Sequence, residues 1–229
     1  GAAQPSPSQR RTLGRCPCSR MPFVIPKTAG EVEAAAAAYG VAPGGRVMMR
    51  REATYAAEAA HTGVYITWRT QRAAPGGDEC ARIGSSSRCF CGHALSEHAD
   101  VSRWDPRAPP CGACGCRRFE YVPSRPEEVG MWWLPRRQGF DVRAWRAPCA
   151  CKHGHDAHDP QTRRCRSCAC VLFRSQYACL GCDGSQEEHE THFELRTERA
   201  AAGRPVDSAF TPLAGCSTAL QQAVLGSGR

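Results

Sequence analysis

The 229-residue sequence is poor in aromatic residues, which make up 7% of the chain, and its apolar runs are short. A large hydrophobic core is therefore not expected, because aromatic side chains supply much of the buried area of an ordinary core. No stretch reaches the roughly 18 consecutive apolar residues that a membrane-spanning helix needs. No charged and then apolar leader opens the sequence, so we expect a soluble, cytoplasmic protein without membrane contact.

Lysine is also scarce. Lys27 and Lys152 are the two lysines of the chain, so 28 of its 30 basic residues are arginines. The formal charge of +8 raises the question of a nucleic-acid partner. The arginine excess comes together with abundant alanine and glycine, however, which is typical of a biased genome composition. The charge alone therefore does not predict nucleic-acid binding.

Regular structure is predicted mainly in the first third of the chain. A capping box at Thr28 predicts a helix that ends at Gly40. Good helix formers over residues 46–60 predict a second helix that stops at Gly63. The β-branched and aromatic residues 64–68 predict a strand. From residue 80 onward, closely spaced cysteines replace these patterns.

Two segments of the cysteine-rich region repeat each other. CFCGHALSEH at 89–98 and CACKHGHDAH at 149–158 share the template C-x-C-x-H-x4-H. Each is followed by a second shared unit, CGACGCRRF at 111–119 and CRSCACVLF at 165–173, with the template C-x2-C-x-C-x2-F. Two matched units in the same order indicate a duplicated module.

Cysteines and histidines at these spacings are the donors of tetrahedral zinc sites, in which four protein ligands surround each ion. The donor count predicts four or five Zn²⁺ ions. Within each module the grouping of ligands stays open, because interleaved and sequential arrangements use the same residues. The predicted ligands are Cys80, Cys89, Cys91, His93, His98, Cys111, Cys114 and Cys116 in the first module and Cys149, Cys151, His153, His158, Cys165, Cys168 and Cys170 in the second, with His155 as a further candidate.

The last predicted helix begins at a capping box at Ser185 and runs through Arg199. His189 and His192 are three residues apart, so they would share one face of this helix. The sequence therefore predicts a third site of the Cys2His2 type. Its ligands are Cys179, Cys182, His189 and His192.

A disulfide framework is the main alternative, since the 16 cysteines are an even number. Disulfides do not require histidines at fixed offsets, and the two cysteines of a C-x-C unit pair poorly with each other. The large imidazole share disfavours iron–sulfur clusters. Cys16 and Cys18 have no histidine nearby and Cys216 stands alone, so these three are predicted not to bind metal.

The predicted fold is a small, irregular α+β structure of tandem zinc-knuckle modules with short strands, N-terminal helices and one C-terminal helix. Its segments are an extended arm (1–27), N-terminal helices (28–63), a first zinc module (64–123), a linker with the pair Trp132–Trp133 (124–148), a second zinc module with the terminal helix (149–203) and a tail (204–229).

Several of these motifs, in this order, resemble one known family. The repeat CFCGHALSEH, the segment FEYVPSRPEEVG at 119–130, Trp132–Trp133 and the block CKHGHDAH at 151–158 resemble the "family with sequence similarity 221" proteins, most closely the B-type members. The resemblance covers roughly residues 62–215. It implies a cysteine- and histidine-rich protein of organisms with motile cilia that has no assigned enzymatic activity. A scaffold of the cilium or axoneme, with tubulin or axonemal proteins as partners, is the function that it suggests.

We therefore expect a non-enzymatic, structural zinc-binding protein that docks onto other proteins of a larger assembly. The alternative is a nucleic-acid-binding zinc protein, for which residues 117–119 and 163–173 are the candidate arginine and aromatic segments. The run His98-Ala99-Asp100 faintly resembles the zinc deaminase motif. Asp100 stands where those enzymes carry a catalytic glutamate, and the repeat already accounts for the same donors.

Overall fold

The computed structural model describes residues 28–71, 79–99 and 109–226. The predicted arm, with Cys16 and Cys18, lies outside these ranges. The described chain contains four α-helices, one three-stranded antiparallel sheet and several single turns of 3-10 helix, so the expected α+β class is confirmed. The elements are α1 (Ala29–Tyr39), α2 (Pro43–Thr62), β1 (Val64–Thr70), β2 (Glu79–Ile83), β3 (His189–Leu195), α3 (Arg196–Ala201) and α4 (Thr218–Leu225).

The two N-terminal helices begin and end at residues that satisfy their free backbone groups. The Thr28 hydroxyl accepts a hydrogen bond of 3.3 Å from the amide of Glu31, as its capping box predicts. Helix α2 starts at Pro43, earlier than predicted. Proline fits the first helical position because a backbone N–H group there would have no partner within the helix. It ends at Gly63, whose φ of 73° is in the left-handed region that favours glycine.

Strand β1 is the central strand of the sheet, in the order β2-β1-β3, and it is buried along almost its whole length. Successive side chains of a strand face opposite sides. On one side Tyr65 packs with helix α2 and with Phe210, 4.9 Å away between ring centroids. On the other side Ile66 and Trp68 pack in a cluster with Cys89 and other cysteines. The sheet therefore separates a helical layer from the cysteine-rich layer.

The predicted helix from Ser185 to Arg199 is wrong. Its capping box exists, since the Glu188 carboxylate accepts a 2.8 Å hydrogen bond from the amide of Ser185, but it closes only one 3-10 turn. The chain then forms strand β3, which pairs antiparallel with β1 from His189 to Leu195. The free edge of β1 offers a full ladder of backbone hydrogen bonds, and this tertiary pairing overrides the local helical preference. Helix α3 keeps only the last part of the predicted helix.

The tail also has structure that its sequence did not predict. Helix α4 is capped by Ser217, whose hydroxyl accepts a 3.3 Å hydrogen bond from the amide of Leu220. It buries Leu220 and Val224 and contacts helix α2. Within the described ranges, every helix is too short or too polar to cross a bilayer.

A network of charges joins the three strands along the face of the sheet that carries Tyr65. The guanidinium of Arg199, which is fully buried, lies 2.7 Å from the carboxylate of Glu79 on β2 and 2.9 Å from that of Glu194 on β3. Arg69 on β1 also pairs with both carboxylates. The Arg199 guanidinium lies 4.6 Å from the ring centroid of Phe210, so the helical layer covers the network.

We predict that Arg199→Met lowers the free energy of unfolding by about 3 kcal/mol, because the substitution removes a buried cation that pairs with the buried carboxylate of Glu194 and the half-buried carboxylate of Glu79. Urea unfolding followed by circular dichroism measures this loss. Arg196→Met is the matched control, since Arg196 pairs with Asp207 at an exposed position and should lose about 1 kcal/mol or less. Equal losses in the two variants would contradict a stabilising role for the buried network.

Candidate metal centres

The first repeat, residues 88–121, and the second repeat, residues 148–175, share one pattern of backbone pairing. The amide of Cys89 donates to the carbonyl of His93 at 2.8 Å, and the amide of Cys149 donates to that of His153 at 2.9 Å. The sequence duplication therefore extends to the backbone geometry. The matched β-bridges are Arg88–Ala94 with Pro148–Gly154, Cys89–Tyr121 with Cys149–Ser175, and His98–Cys111 with His158–Cys165.

The structure brings 18 of the 19 predicted ligands into five groups of four, and the donor atoms of each group lie within 4.8 Å of one another. Each repeat carries an inner and an outer group, and a fifth, the sheet group, lies beside the β-sheet. The inner groups are Cys89, Cys91, His98 and Cys116, and Cys149, Cys151, His158 and Cys170; the outer groups are Cys91, His93, Cys111 and Cys114, and Cys151, His153, Cys165 and Cys168; the sheet group is Cys80, Cys179, Cys182 and His189.

The distances within these groups are those of a tetrahedron around one ion. Zinc–sulfur and zinc–nitrogen bonds of about 2.3 and 2.0 Å give sulfur–sulfur edges of about 3.8 Å and sulfur–nitrogen edges of about 3.5 Å. In the first inner group, Cys89 Sγ lies 3.9 Å from Cys116 Sγ, and Cys91 Sγ lies 3.6 Å from His98 Nε2. The corresponding distances in the second repeat are 4.0 and 3.6 Å. No disulfide joins cysteines in the described part of the chain.

One cysteine in each repeat belongs to two groups. Cys91 Sγ lies 3.6 Å from His98 Nε2 of the inner group and 3.5 Å from His93 Nδ1 of the outer group. Cys151 has the same position in the second repeat. Seven ligands can therefore hold two ions in each repeat, because a thiolate can bridge two ions. The sequence left both interleaved and sequential groupings open, and the structure has the interleaved one.

His155, the further candidate in the second repeat, belongs to none of the five groups. The equivalent residue of the first repeat is Leu95, which cannot bind a metal, so this position is not a ligand position that the two repeats share. His155 is instead 2% exposed and packs edge-on against Phe90, with 5.7 Å between ring centroids. Cys216 also lies outside the groups.

The sheet group differs from its prediction in one of its four ligands, because Cys80 takes the place of His192. Cys80, assigned to the first module by sequence, lies on β2 and joins Cys179, Cys182 and His189. The structure does not bring His192 into this group, because residues three apart on a strand face opposite sides. The Nε2 atom of His192 lies 2.6 Å from Glu190 instead. Cys182 Sγ lies 3.1 Å from His189 Nε2, so the group has three cysteines and one histidine.

Backbone carbonyls orient three of the histidines. When Nδ1–H donates to a carbonyl, the Nε2 lone pair is left to face an ion, which is a common arrangement around metal-binding histidines. The ring of His189 also stacks on Trp68, with 3.9 Å between ring centroids. The three Nδ1-to-carbonyl contacts are His98 to Pro109 at 2.8 Å, His158 to Gly154 at 2.9 Å and His189 to Ser185 at 2.6 Å.

Burial and crowding make the thiols of the sheet group hard to ionise unless a cation lies among them. Burial, followed by the nearby Cys179, raises the pKa of the Cys80 thiol, and burial raises the pKa of Cys179 as well. Backbone amides support individual thiolates, as Gly181 does by donating to Cys179 Sγ at 3.3 Å. One amide does not offset the repulsion among three thiolates. The donor set therefore fits a bound cation.

Comparison with known proteins identifies the family. The family model described as "Protein FAM221A/B" matches residues 48–228. The chain belongs to the FAM221 family. Protein FAM221B of Homo sapiens is 46% identical over 155 residues, which are 66% of this chain and 37% of that protein. Protein FAM221B of Rattus norvegicus is 40% identical over 195 residues, which are 82% of this chain and 37% of that protein.

The A-type relatives are more distant. Protein FAM221A of Xenopus tropicalis is 31% identical over 165 residues, which are 66% of this chain and 48% of that protein. The higher identities to FAM221B place the chain with the B-type members. The chain spans about a third to a half of the length of these relatives. No solved structure matches it.

The geometry of the sheet group predicts different outcomes for its two nearby histidines. His189→Ala should lower the number of bound divalent ions by one, because it removes one of four ligands. His192→Ala, the matched control on the same strand, should keep the full number. Native mass spectrometry of the two variants after loading with Zn²⁺ counts the ions. Loss of an ion from the His192 variant would show that the Cys2His2 grouping is the correct one.

Proposed function

We propose that this FAM221 chain is a non-enzymatic, structural zinc protein with tandem zinc-knuckle modules and five Zn²⁺ ions. The observation that carries the proposal is the set of five closed, four-ligand groups of cysteine and histidine. Thiolate and imidazole donors in tetrahedral geometry favour zinc. Four protein ligands per ion leave no coordination position for a substrate, which supports a structural role over a catalytic one.

The ions would take the place of a large apolar core. The cluster against the sheet contains Trp68 and Phe119 together with several ligands, and Cys89 and Cys149 are fully buried. A structural zinc site contributes on the order of 10 kcal/mol or more to folding, because the site forms only in the folded chain. Five such sites would stabilise a chain whose aromatic content is low.

The segments predicted as nucleic-acid contacts do not favour that alternative. Arg118 and Arg163 both pair with Glu120, so part of their charge is neutralised. Phe119 and Phe173 are each 2% exposed, and buried rings cannot stack on bases. Thirteen ligand cysteines as thiolates contribute −13 and five dications +10, which changes the formal charge from +8 to +5. Arginine side chains carry almost all of the remaining positive charge.

Docking onto a larger assembly is the role that we propose for the rigid surface held by the ions. Large apolar side chains lie on that surface, including Trp133 at 59% exposure and Val171 at 66%. Such side chains are frequent anchors of protein interfaces. The resemblance to the family contributes the hypothesis that the assembly is a cilium or axoneme, with tubulin or axonemal proteins as partners.

Elemental analysis of the purified protein tests the proposal directly, with five zinc ions expected per chain. Removal of zinc with a chelator should abolish the near-ultraviolet circular dichroism signal, because the packing around the ligands is lost. Adding five equivalents of Zn²⁺ should restore it. A zinc-free preparation that keeps its near-ultraviolet spectrum would contradict a structural role for the ions.

The shared cysteines allow a second test. Cys91→Ala should cost both ions of the first repeat, because it removes a ligand from two groups. Cys114→Ala, the matched control, removes a ligand from the outer group alone and should cost one ion. Native mass spectrometry distinguishes a loss of two from a loss of one. The pair Cys151→Ala and Cys168→Ala repeats the comparison in the second repeat, and a loss of one ion in all four variants would contradict a bridging thiolate.

A further inference from the structure

A cavity rich in arginine lies where helix α2, the two repeats and the segment between them meet. Its volume is about 360 Å³, and no carboxylate of the described residues lines it. None of the 18 grouped metal ligands lines it either. The side chains that give the cavity its character are Arg51, Arg88, Arg125, Arg143, Arg146 and His155.

The arginines of this cavity carry more charge than their partners neutralise. Within the described residues, Arg88 and Arg143 have no carboxylate within the 4.0 Å of an ion pair, whereas the other three arginines each have one. Two positive charges at the cavity therefore have no counterion among the residues that the structure describes. The three pairs are Arg51–Glu128 at 3.0 Å, Arg125–Glu127 at 2.9 Å and Arg146–Asp156 at 3.2 Å.

Two buried nitrogen atoms of the cavity-lining side chains also find no hydrogen-bond partner within the described part of the chain. They are Nδ1 of His155, whose side chain is 98% buried, and Nε of Arg125. Buried polar atoms are nearly always hydrogen-bonded in folded proteins, so each exception needs an explanation. A ligand or water in the cavity would provide the missing partner.

We propose that this cavity binds a phosphate monoester. A phosphate monoester carries a charge close to −2 and three acceptor oxygens, which matches two uncompensated guanidinium groups and their several N–H donors. A carboxylate brings one charge and two oxygens, and it would leave one arginine without a partner. The volume is at the lower end of small-molecule sites, with room for a phosphate and the group that carries it.

The positions of the arginines give binding a structural consequence. Arg51 lies on α2, Arg88 in the first repeat, Arg143 between the repeats and His155 in the second repeat. A bound phosphate would therefore join parts of the chain that are distant in sequence. A ligand that binds only the folded chain stabilises it, so the melting temperature should rise with phosphate concentration.

Isothermal titration calorimetry of the zinc-loaded chain, freed of excess metal, tests the site at constant ionic strength. O-phosphoserine and a short phosphoserine peptide are the probes, and the same peptide with glutamate is the comparison. We expect both phosphate probes to bind, and the glutamate peptide to bind at least tenfold more weakly. A peptide that binds at least tenfold more tightly than O-phosphoserine indicates a phosphorylated protein as the source of the phosphate. Equal affinities indicate a small phosphate compound.

Variants decide whether the arginines form the site. Arg143→Gln and Arg88→Gln should each weaken phosphoserine binding by about tenfold or more, because each loses a charge-assisted hydrogen bond. Arg136→Gln and Arg174→Gln remove the same charge from exposed positions outside the cavity and should leave affinity unchanged. Near-ultraviolet circular dichroism and zinc content verify that each variant folds.

Three results would overturn the proposal. The first is the absence of binding by both phosphate probes at millimolar concentration. The second is equal binding of the phosphoserine and glutamate peptides, which would indicate a site for acidic peptides. The third is unchanged affinity in folded Arg143→Gln and Arg88→Gln, which would place any phosphate elsewhere on the chain.

Discussion

Close approach of cysteine sulfurs is the constraint on which this structure depends. In each of five groups, four donor atoms lie within 4.8 Å, a spacing at which bare thiolates repel one another. Tight β-bridges hold the cysteines of each repeat, and carbonyls at Pro109 and Gly154 orient two histidines. The sheet brings Cys80 and His189 together from separate strands. Apolar side chains pack around these groups.

Short spacings between donors were readable from the sequence because a tetrahedral site imposes them locally. The repeats and their predicted ligands belong to this class, whereas the first strand was readable from its β-branched and aromatic residues. The sharing of Cys91 was not readable, since it depends on distances in space. Strand β3 was missed for a related reason: the capping signal at Ser185 is real, but pairing with β1 outweighs it. Cys80 was assigned to the wrong group for the same reason, because its group includes His189, which the pairing of β3 with β1 brings into place.

The two repeats have diverged where they meet. Phe90 of the first repeat, which corresponds to Ala150 in the second, packs edge-on against Phe173 with 5.1 Å between ring centroids. The guanidinium of Arg163 lies 3.7 Å from the centroid of the Phe90 ring. His155, in the place of Leu95, borders the same ring and the arginine-lined cavity. The two repeats are thus similar at their ligands, and the residues that differ between them, outside the ligands, form the contact between the two units.

Cys80 and His189 have a consequence for the order in which the chain assembles. All ligands of a repeat lie within about 30 residues, so each repeat closes a short loop, whereas the sheet group spans more than 100 residues. Loop-closure entropy rises with the length of chain enclosed. As the chain leaves the ribosome, the first repeat is complete long before His189 is made. The sheet group can close only after His189 has been synthesised, when every ligand of both repeats is already present in the chain.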